Sequence, residues 1–304
     1  MSETFVIPAM GWLPDYPDIR DVTFQSERVP SKLQALGQPS VKQMLAKVGA
    51  TTSAPAALPT SVDLRPWCSP IEDQKTIGSC TAHAGVGLVE YFERRAFGKH
   101  LDASRLFLYK VTRNLLKWTG DTGAFLRSTM YALTLFGVPP EEYYPYNTAD
   151  FDKEPSAFCY AFGQSYQAIS YYRLDPPGTT RSNLLTQIKT YLANGLPSMF
   201  GFTVYSSISQ ANTNGGKIPY PTPGERVLGG HAIDAVGYDD NLKIKNTNPG
   251  GIETTGALLI RNSWGTGWGS AGYGWLPYKY VLDGLATDWW SLIKSEWIDT
   301  GQFG

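Results

Sequence analysis

Residues 79–97, SCTAHAGVGLVEYFERRAF, set the frame for the whole chain. Ala82, Val86, Val89, Tyr91, Phe92 and Ala96 fall mostly on one stripe at helical spacing, and Gly98 follows as a stop. The stretch predicts a buried helix that begins at or near Cys80. Working outward, the same periodicity predicts helices over about 41–48, 104–116 and 123–136, the last closed by Gly137 and Pro139. A further amphipathic helix, RSNLLTQIKTYLANG, has Ser182 as its expected cap and Gly195 as its end. Beyond it the texture changes. PSMFGFTV, HAIDAVGYDD, GALLIRNSW and YGWLPYKYV are short, β-branched or aromatic, and bounded by Gly, Asn or Pro, as antiparallel strands are. Helices followed by strands, without βαβ alternation or internal repeats, argue for an α+β protein of two lobes.

With 304 residues, 42% of them hydrophobic and 17% charged, the chain has the material for a large core. Its 26 basic and 27 acidic side chains nearly cancel, so no global field draws in nucleic acid or an anionic membrane. No apolar run approaches the roughly 20 residues of a membrane span. The opening MSETFVIPAMGWLPDYP lacks the pattern of a cleavable leader. The chain therefore reads as soluble, with its compartment open: cytoplasmic, or exported without a cleavable leader. Residues 1–60 form an N-terminal extension that ends in the linker-like TTSAPAALPT, followed by segments 61–170, rich in helix, and 171–304, rich in strand.

Chemistry enters through Cys80. A thiol attacks a carbonyl well only as a thiolate, and the unpaired N–H groups at a helix start favour the anion. A buried cysteine is more commonly a small hydrophobe, so position alone is not a site. A base is needed, and only His83, His100 and His231 are present. His231 follows two glycines at the head of an apolar strand. His83, three residues beyond Cys80 on the same helix, has poorer expected geometry because helical side chains lean towards the N-terminus. His100 lies in a polar turn. A third group should hold the imidazole, and Asn262, at the end of LLIRN and before SWGTGWG, is the candidate. The three cysteines and three histidines fall at no metal-ligand spacing, no phosphate loop occurs, and no cofactor is implied.

GSC at 78–80, GHA at 230–232 and NSWGTGWG at 262–269, in this order, resemble the papain-like cysteine peptidases, as do Gln74 and the Tyr-Pro-Tyr of EEYYPYN. The resemblance covers about residues 62–297. It implies a papain-like two-lobe fold, with a helical left lobe carrying Cys80, an antiparallel β-rich right lobe carrying His231 and Asn262, and a peptide or protein substrate in the cleft between. It further implies a Cys80 thiolate paired with a His231 imidazolium, and an oxyanion hole formed by the Gln74 amide and the Cys80 N–H. By the same likeness Gly123 binds peptide backbone, and Gly201, Phe202, Gly230, Ala232 and Trp264 lie about the substrate. Ile77 stands where the better-known members have a half-cystine, and Thr81 where they have an aromatic residue, features closer to the bacterial branch. Cys68 and Cys159 are then either bridged or simply buried thiols.

The extension lacks the helical propeptide signature of the family, yet GWLPDYPD is extended, apolar and Pro-rich, suited to lying in the cleft in cis as an inhibitory prosegment. An ordinary extension is the plainer alternative. Two other readings of the whole remain: a Cys-His acyltransferase of transglutaminase type, and a catalytically silent binding protein that keeps the fold.

Overall fold

A computed structural model of the chain describes residues 9–50, 57–163 and 169–304. Most of the linker-like stretch, residues 51–56, lies outside them, as do residues 1–8 of the opening segment. Two short helices form in the extension, α1 (Ser31–Ala35) and α2 (Val41–Lys47). A reciprocal capping box opens α2: the Gln43 N–H donates to Ser40 Oγ, and the Ser40 N–H to Gln43 Oε1. Its Val41, Met44 and Leu45 are buried in the main core. The extension is thus packed onto the body through residues 41–50.

Strand β1 (Ser61–Asp63) precedes the central helix α3 (Cys80–Phe97), which is buried from Cys80 to Phe92 and ends on Gly98 at φ +72°. Helices α4 (Arg105–Leu116), α5 (Leu126–Phe136) and α6 (Ala157–Gly163) follow. The Ser104 side chain caps α4 on the Phe107 N–H. After β2 (Ser170–Arg173) comes α7 (Arg181–Ala193), then β3 (Ser198–Tyr205), β4 (Val227–Lys245), β5 (Glu253–Arg261) and β6 (Tyr273–Pro277). Helix α8 (Tyr278–Leu282), β7 (Ala286–Ile293) and α9 (Ser295–Ile298) complete the chain.

The strands form an antiparallel sheet in the order β2-β7-β3-β4-β5-β6, with β1 added to β4. The segment limits set at 60/61 and 170/171 therefore fall at β1 and inside β2. Two readings need correction. The cap of α7 is Thr180, whose hydroxyl accepts from the Asn183 N–H, with Ser182 already inside the helix. YGWLPYKYV is strand only as far as Pro277. The turn of helix that follows buries Tyr278, Tyr280 and Val281, and a short apolar run does not separate the two conformations by period alone.

Helix α3 packs against α4, α5 and β4, so its N-terminus meets the strand that carries His231. The approach is close at Gly87, where a methyl group would stand 2.3 Å from Arg261 Nη1 and 2.8 Å from Asp234 Oδ2. Those two side chains form a buried ion pair, at 3.8 Å, between β4 and β5. Alanine at an unconstrained helical position stabilises by about 0.5–1 kcal/mol over glycine. Here the crowding reverses the sign: Gly87→Ala is expected to destabilise the protein by about 1–3 kcal/mol in urea unfolding. A stabilised variant would show that Arg261 has other room.

Candidate active site

Cys80 opens α3 and is fully buried. The backbone N–H groups of Ala232, Gly11, Thr81 and Cys80 face its sulfur and favour the anion, but burial outweighs them and pushes the thiol up to about 11. The Ala232 contact places the sulfur beside the β4 strand next to His231. The loop before α3 is tied down by Asp121, whose Oδ1 accepts from the Gly78 N–H (2.8 Å) and from Tyr109 Oη (2.5 Å).

His231 Nε2 lies 2.8 Å from Asn262 Oδ1, which also accepts from the Ser263 N–H at 2.8 Å. Asn262 Oδ1 can only accept, so Nε2 carries the proton and Nδ1 is the basic nitrogen of the neutral ring. Nδ1 is buried and makes no hydrogen bond with any described residue. Trp264 stacks on the imidazole, with centroids 4.5 Å apart and planes at 25°, and Phe202 meets it edge-on at 5.9 Å. Enclosed in this way, His231 is pushed down to about 4, because burial outweighs the Asn262 hydrogen bond. Burial thus works against the thiolate–imidazolium pair expected from the resemblance while the site is covered.

Gln74 is held from several sides. Its N–H donates to the Ser263 carbonyl (2.8 Å), Ser263 Oγ donates to its Oε1 (2.7 Å), and Tyr146 Oη donates to its carbonyl (3.0 Å). With Oε1 engaged, Nε2 is turned to donate to Ile77 O (3.1 Å) and to Ala9 O (2.7 Å). His83 belongs to a different structure. Its Nδ1 donates to the Ser79 carbonyl one turn back (3.1 Å), its ring stands edge-on to Tyr146, and burial pushes it down to about 3.

Residues 9–13 run across this group. The Trp12 N–H donates to Gly230 O (3.2 Å), the Leu13 N–H to Ala124 O (3.1 Å), and the Ala124 N–H to Gly11 O (2.8 Å). A methyl group on Gly123 would come 2.3 Å from Gly11 O, one on Gly201 would come 1.9 Å from the Trp12 indole, and one on Gly230 would come 2.6 Å from Trp12 O. Gly123, Gly201 and Gly230 thus meet this segment directly, and Ala232 faces the sulfur. Phe202 and Trp264 instead pack on the His231 ring. The segment continues into a polar clasp. Arg127 donates from Nε to Asp21 Oδ1 (2.7 Å) and from Nη1 to Asp15 Oδ2, and the Arg173 N–H donates to Val22 O (2.8 Å).

Trp12, Asp121, Tyr146 and Ser263 were not singled out individually from sequence, although Trp12 lies in GWLPDYPD, Tyr146 in the Tyr-Pro-Tyr stretch and Ser263 in the NSWG motif. Cys68 and Cys159 are free and buried, so they do not bridge. No helix among the described residues is long and apolar enough to cross a membrane.

The sequence pattern of the papain family cysteine proteases matches residues 58–283. An uncharacterized peptidase C1-like protein of Acanthamoeba polyphaga mimivirus is 32% identical over 95% of this chain and 88% of its own length. Xylellain, a cysteine protease from Xylella fastidiosa, is 32% identical, with a TM-score of 0.71 over 94% of this chain and 96% of its own. A digestive procathepsin L 3 of Tenebrio molitor shares the fold, at 19% identity and a TM-score of 0.58 over 84% of this chain and 79% of its own. A helix opened by Cys80 and set against an antiparallel sheet, with that family pattern spanning both, makes this chain a member of the papain family of cysteine peptidases, close in form to a bacterial one.

Proposed function

We propose that the chain is an endopeptidase held closed by its own residues 9–13, with Cys80 as nucleophile, His231 as proton carrier, Asn262 as the holder of the imidazole, and Gln74 as an oxyanion donor. The observation that carries this reading is the Gln74 hydrogen bond to Ala9 O at 2.7 Å: beside the sulfur, the site already grips a peptide carbonyl. Among the N–H groups that face the sulfur is that of Gly11, so the seated segment presents a donor to it.

With the segment withdrawn, water reaches the thiol and imidazole, and the desolvation that kept both neutral is relieved. The Cys80 proton passes to His231 Nδ1, and Nε2–H stays on Asn262 Oδ1. The thiolate adds to the scissile carbonyl, and its oxygen gathers charge against Gln74 Nε2 and the Cys80 N–H. Collapse expels the amine, which takes the Nδ1 proton, and leaves a thioester on Cys80. Water, deprotonated by Nδ1, then adds to the thioester, and the acid departs as Cys80 is restored. Ser263 and Tyr146 act through Gln74, keeping its N–H end towards the oxyanion.

Cys80→Ala and His231→Ala are expected to abolish peptide hydrolysis, and Asn262→Ala and Gln74→Ala to lower kcat/KM by about 10–10³-fold, with unchanged far-UV circular dichroism. Ser263→Ala should cost about tenfold, seen in kcat rather than KM.

A chain lacking residues 1–29 keeps α1 and α2 but loses the segment and its clasp. It should hydrolyse peptides at least about tenfold faster than the whole chain. Equal rates would reject the inhibitory role. The pH response of alkylation follows from the thiol's position. In the whole chain iodoacetamide should label Cys80 slowly at pH 7 and faster only as pH climbs towards about 11, where the thiolate forms. In the shortened chain labelling should already be fast at neutral pH.

A further inference from the structure

His83 is buried in α3, and the reaction described above does not use it. An imidazole in such a place is costlier than the phenyl ring that would fill the same space, and Nε2 has no hydrogen-bond partner among the described residues. Burial and the charge of Arg105 favour the ring with a single N–H. That proton sits on Nδ1, because Ser79 O, 3.1 Å away, can only accept. The Ser79 carbonyl takes three donors in all, the others being the backbone N–H groups of Ala82 (3.0 Å) and His83 (3.1 Å). It belongs to the Ser79–Cys80 peptide, whose other end is the Cys80 N–H. Donors on the oxygen of a peptide fix its plane and draw electron density from its N–H, which makes that N–H the stronger donor.

A second path leaves the same nitrogen. Nδ1 lies 3.3 Å from Ser79 Oγ, and Ser79 Oγ lies 2.6 Å from Tyr146 Oη. Tyr146 gives its proton to Gln74 O at 3.0 Å, so the Ser79 hydroxyl donates to Tyr146, and the chain runs one way from His83 to the backbone of Gln74. Tyr146 is itself anchored: its N–H donates to Glu141 Oε1 (2.5 Å), and its ring meets His83 edge-on with centroids 4.9 Å apart.

We infer that His83 is a positioning residue for the oxyanion hole and joins its two donors, acting on the Cys80 N–H through the Ser79 carbonyl and on Gln74 through Ser79 Oγ and Tyr146 Oη. This rests on the peptidase reading given above and adds a residue to it. His83 acts on the donors rather than on the reacting atoms. Phenylalanine at this position would keep a ring beside Tyr146 and lose the donor, whereas asparagine would lose the ring and keep an N–H at the place of Nδ1.

The test uses the full chain carrying Trp12→Ala, which removes the buried anchor of residues 9–13, as the parent of every variant. Cinnamoyl imidazole acylates Cys80 with loss of imidazole and leaves a thioester whose carbonyl oxygen faces the donors. Hydrogen bonds to that oxygen lower its stretching frequency, which infrared difference spectroscopy reads. In His83→Phe the carbonyl band should rise in frequency and deacylation should slow by about tenfold. In His83→Asn the band should return towards the parent's, with deacylation within about threefold of it. Tyr146→Phe, which interrupts the chain with its ring kept, should also raise the band. Alkylation of Cys80 by iodoacetamide, which builds no oxyanion, should be the same throughout.

A residue that only packs would slow alkylation and deacylation together and leave the band in place. A band unmoved in His83→Phe, or in Tyr146→Phe should the first variant not fold, overturns the inference and leaves the peptidase reading intact. So does an asparagine variant indistinguishable from the phenylalanine one. A parent chain whose Cys80 takes no acyl group overturns both.

Discussion

A polypeptide backbone can approach the Cys80 sulfur only because the walls of the cleft lack side chains. Gly78, Gly123, Gly201 and Gly230 lie around the sulfur, and at each a methyl group would come within 3.3 Å of residues 9–13 or of a side chain that ties down the loop. The same bareness that admits a substrate admits the chain's own extension, so occlusion and turnover draw on one geometric feature. The segment is held through Gly230 O as acceptor, Ala124 N–H and O as a short ladder, and Gln74 Nε2 as a clamp on a carbonyl.

Covering the site also changes its electrostatics. A thiol facing the Cys80 and Thr81 N–H groups at a helix start would ordinarily be acidic, and an imidazole bonded to an amide oxygen would ordinarily be somewhat basic. In the covered site both are displaced the opposite way, the thiol up to about 11 and the imidazole down to about 4, with burial the largest cause for each. The dipoles that activate the pair are built in. On the closed-state reading proposed above, the segment acts by removing water rather than by rearranging the residues, and its withdrawal would need no refolding step.

Much of this was legible in the sequence because it depends on local pattern. The stripe of 79–97, the glycine stops and the β-branched runs located the central helix and most of the sheet. Cys80, His231 and Asn262 were picked out by what a thiol nucleophile needs, and Gln74 by the family resemblance alone. The misses share a physical cause. Thr180 and Ser182 are both competent caps, and only the path of the chain chooses between them. Pro277 and Tyr278 sit where strand and helix propensities are balanced. Trp12 and Asp288 are 276 residues apart, and no spacing rule could pair them. Asp288 stands before two tryptophans and lies in no motif, and it is β7 lying beside β3 that brings its carboxylate to the Trp12 indole over Gly201.

The closed state does not require residues 9–13 to bind tightly. They are tethered a few residues from the Asp15, Asp21 and Arg127 clasp, and from there to α2, whose apolar face is part of the core. A tether this short holds the segment at an effective concentration on the order of millimolar, so even a millimolar intrinsic affinity keeps the cleft substantially filled. Modest affinity is also what the contacts suggest: one buried side chain and a handful of backbone hydrogen bonds, each contributing about 1 kcal/mol net. The consequence is an asymmetry. Strengthening the contacts at residues 9–13 changes occupancy only gradually, whereas breaking the clasp or cutting the chain behind it removes the concentration term at once. On the closed-state reading proposed above, control therefore resides less in the peptide that covers the sulfur than in the arginine and two aspartates that keep that peptide near.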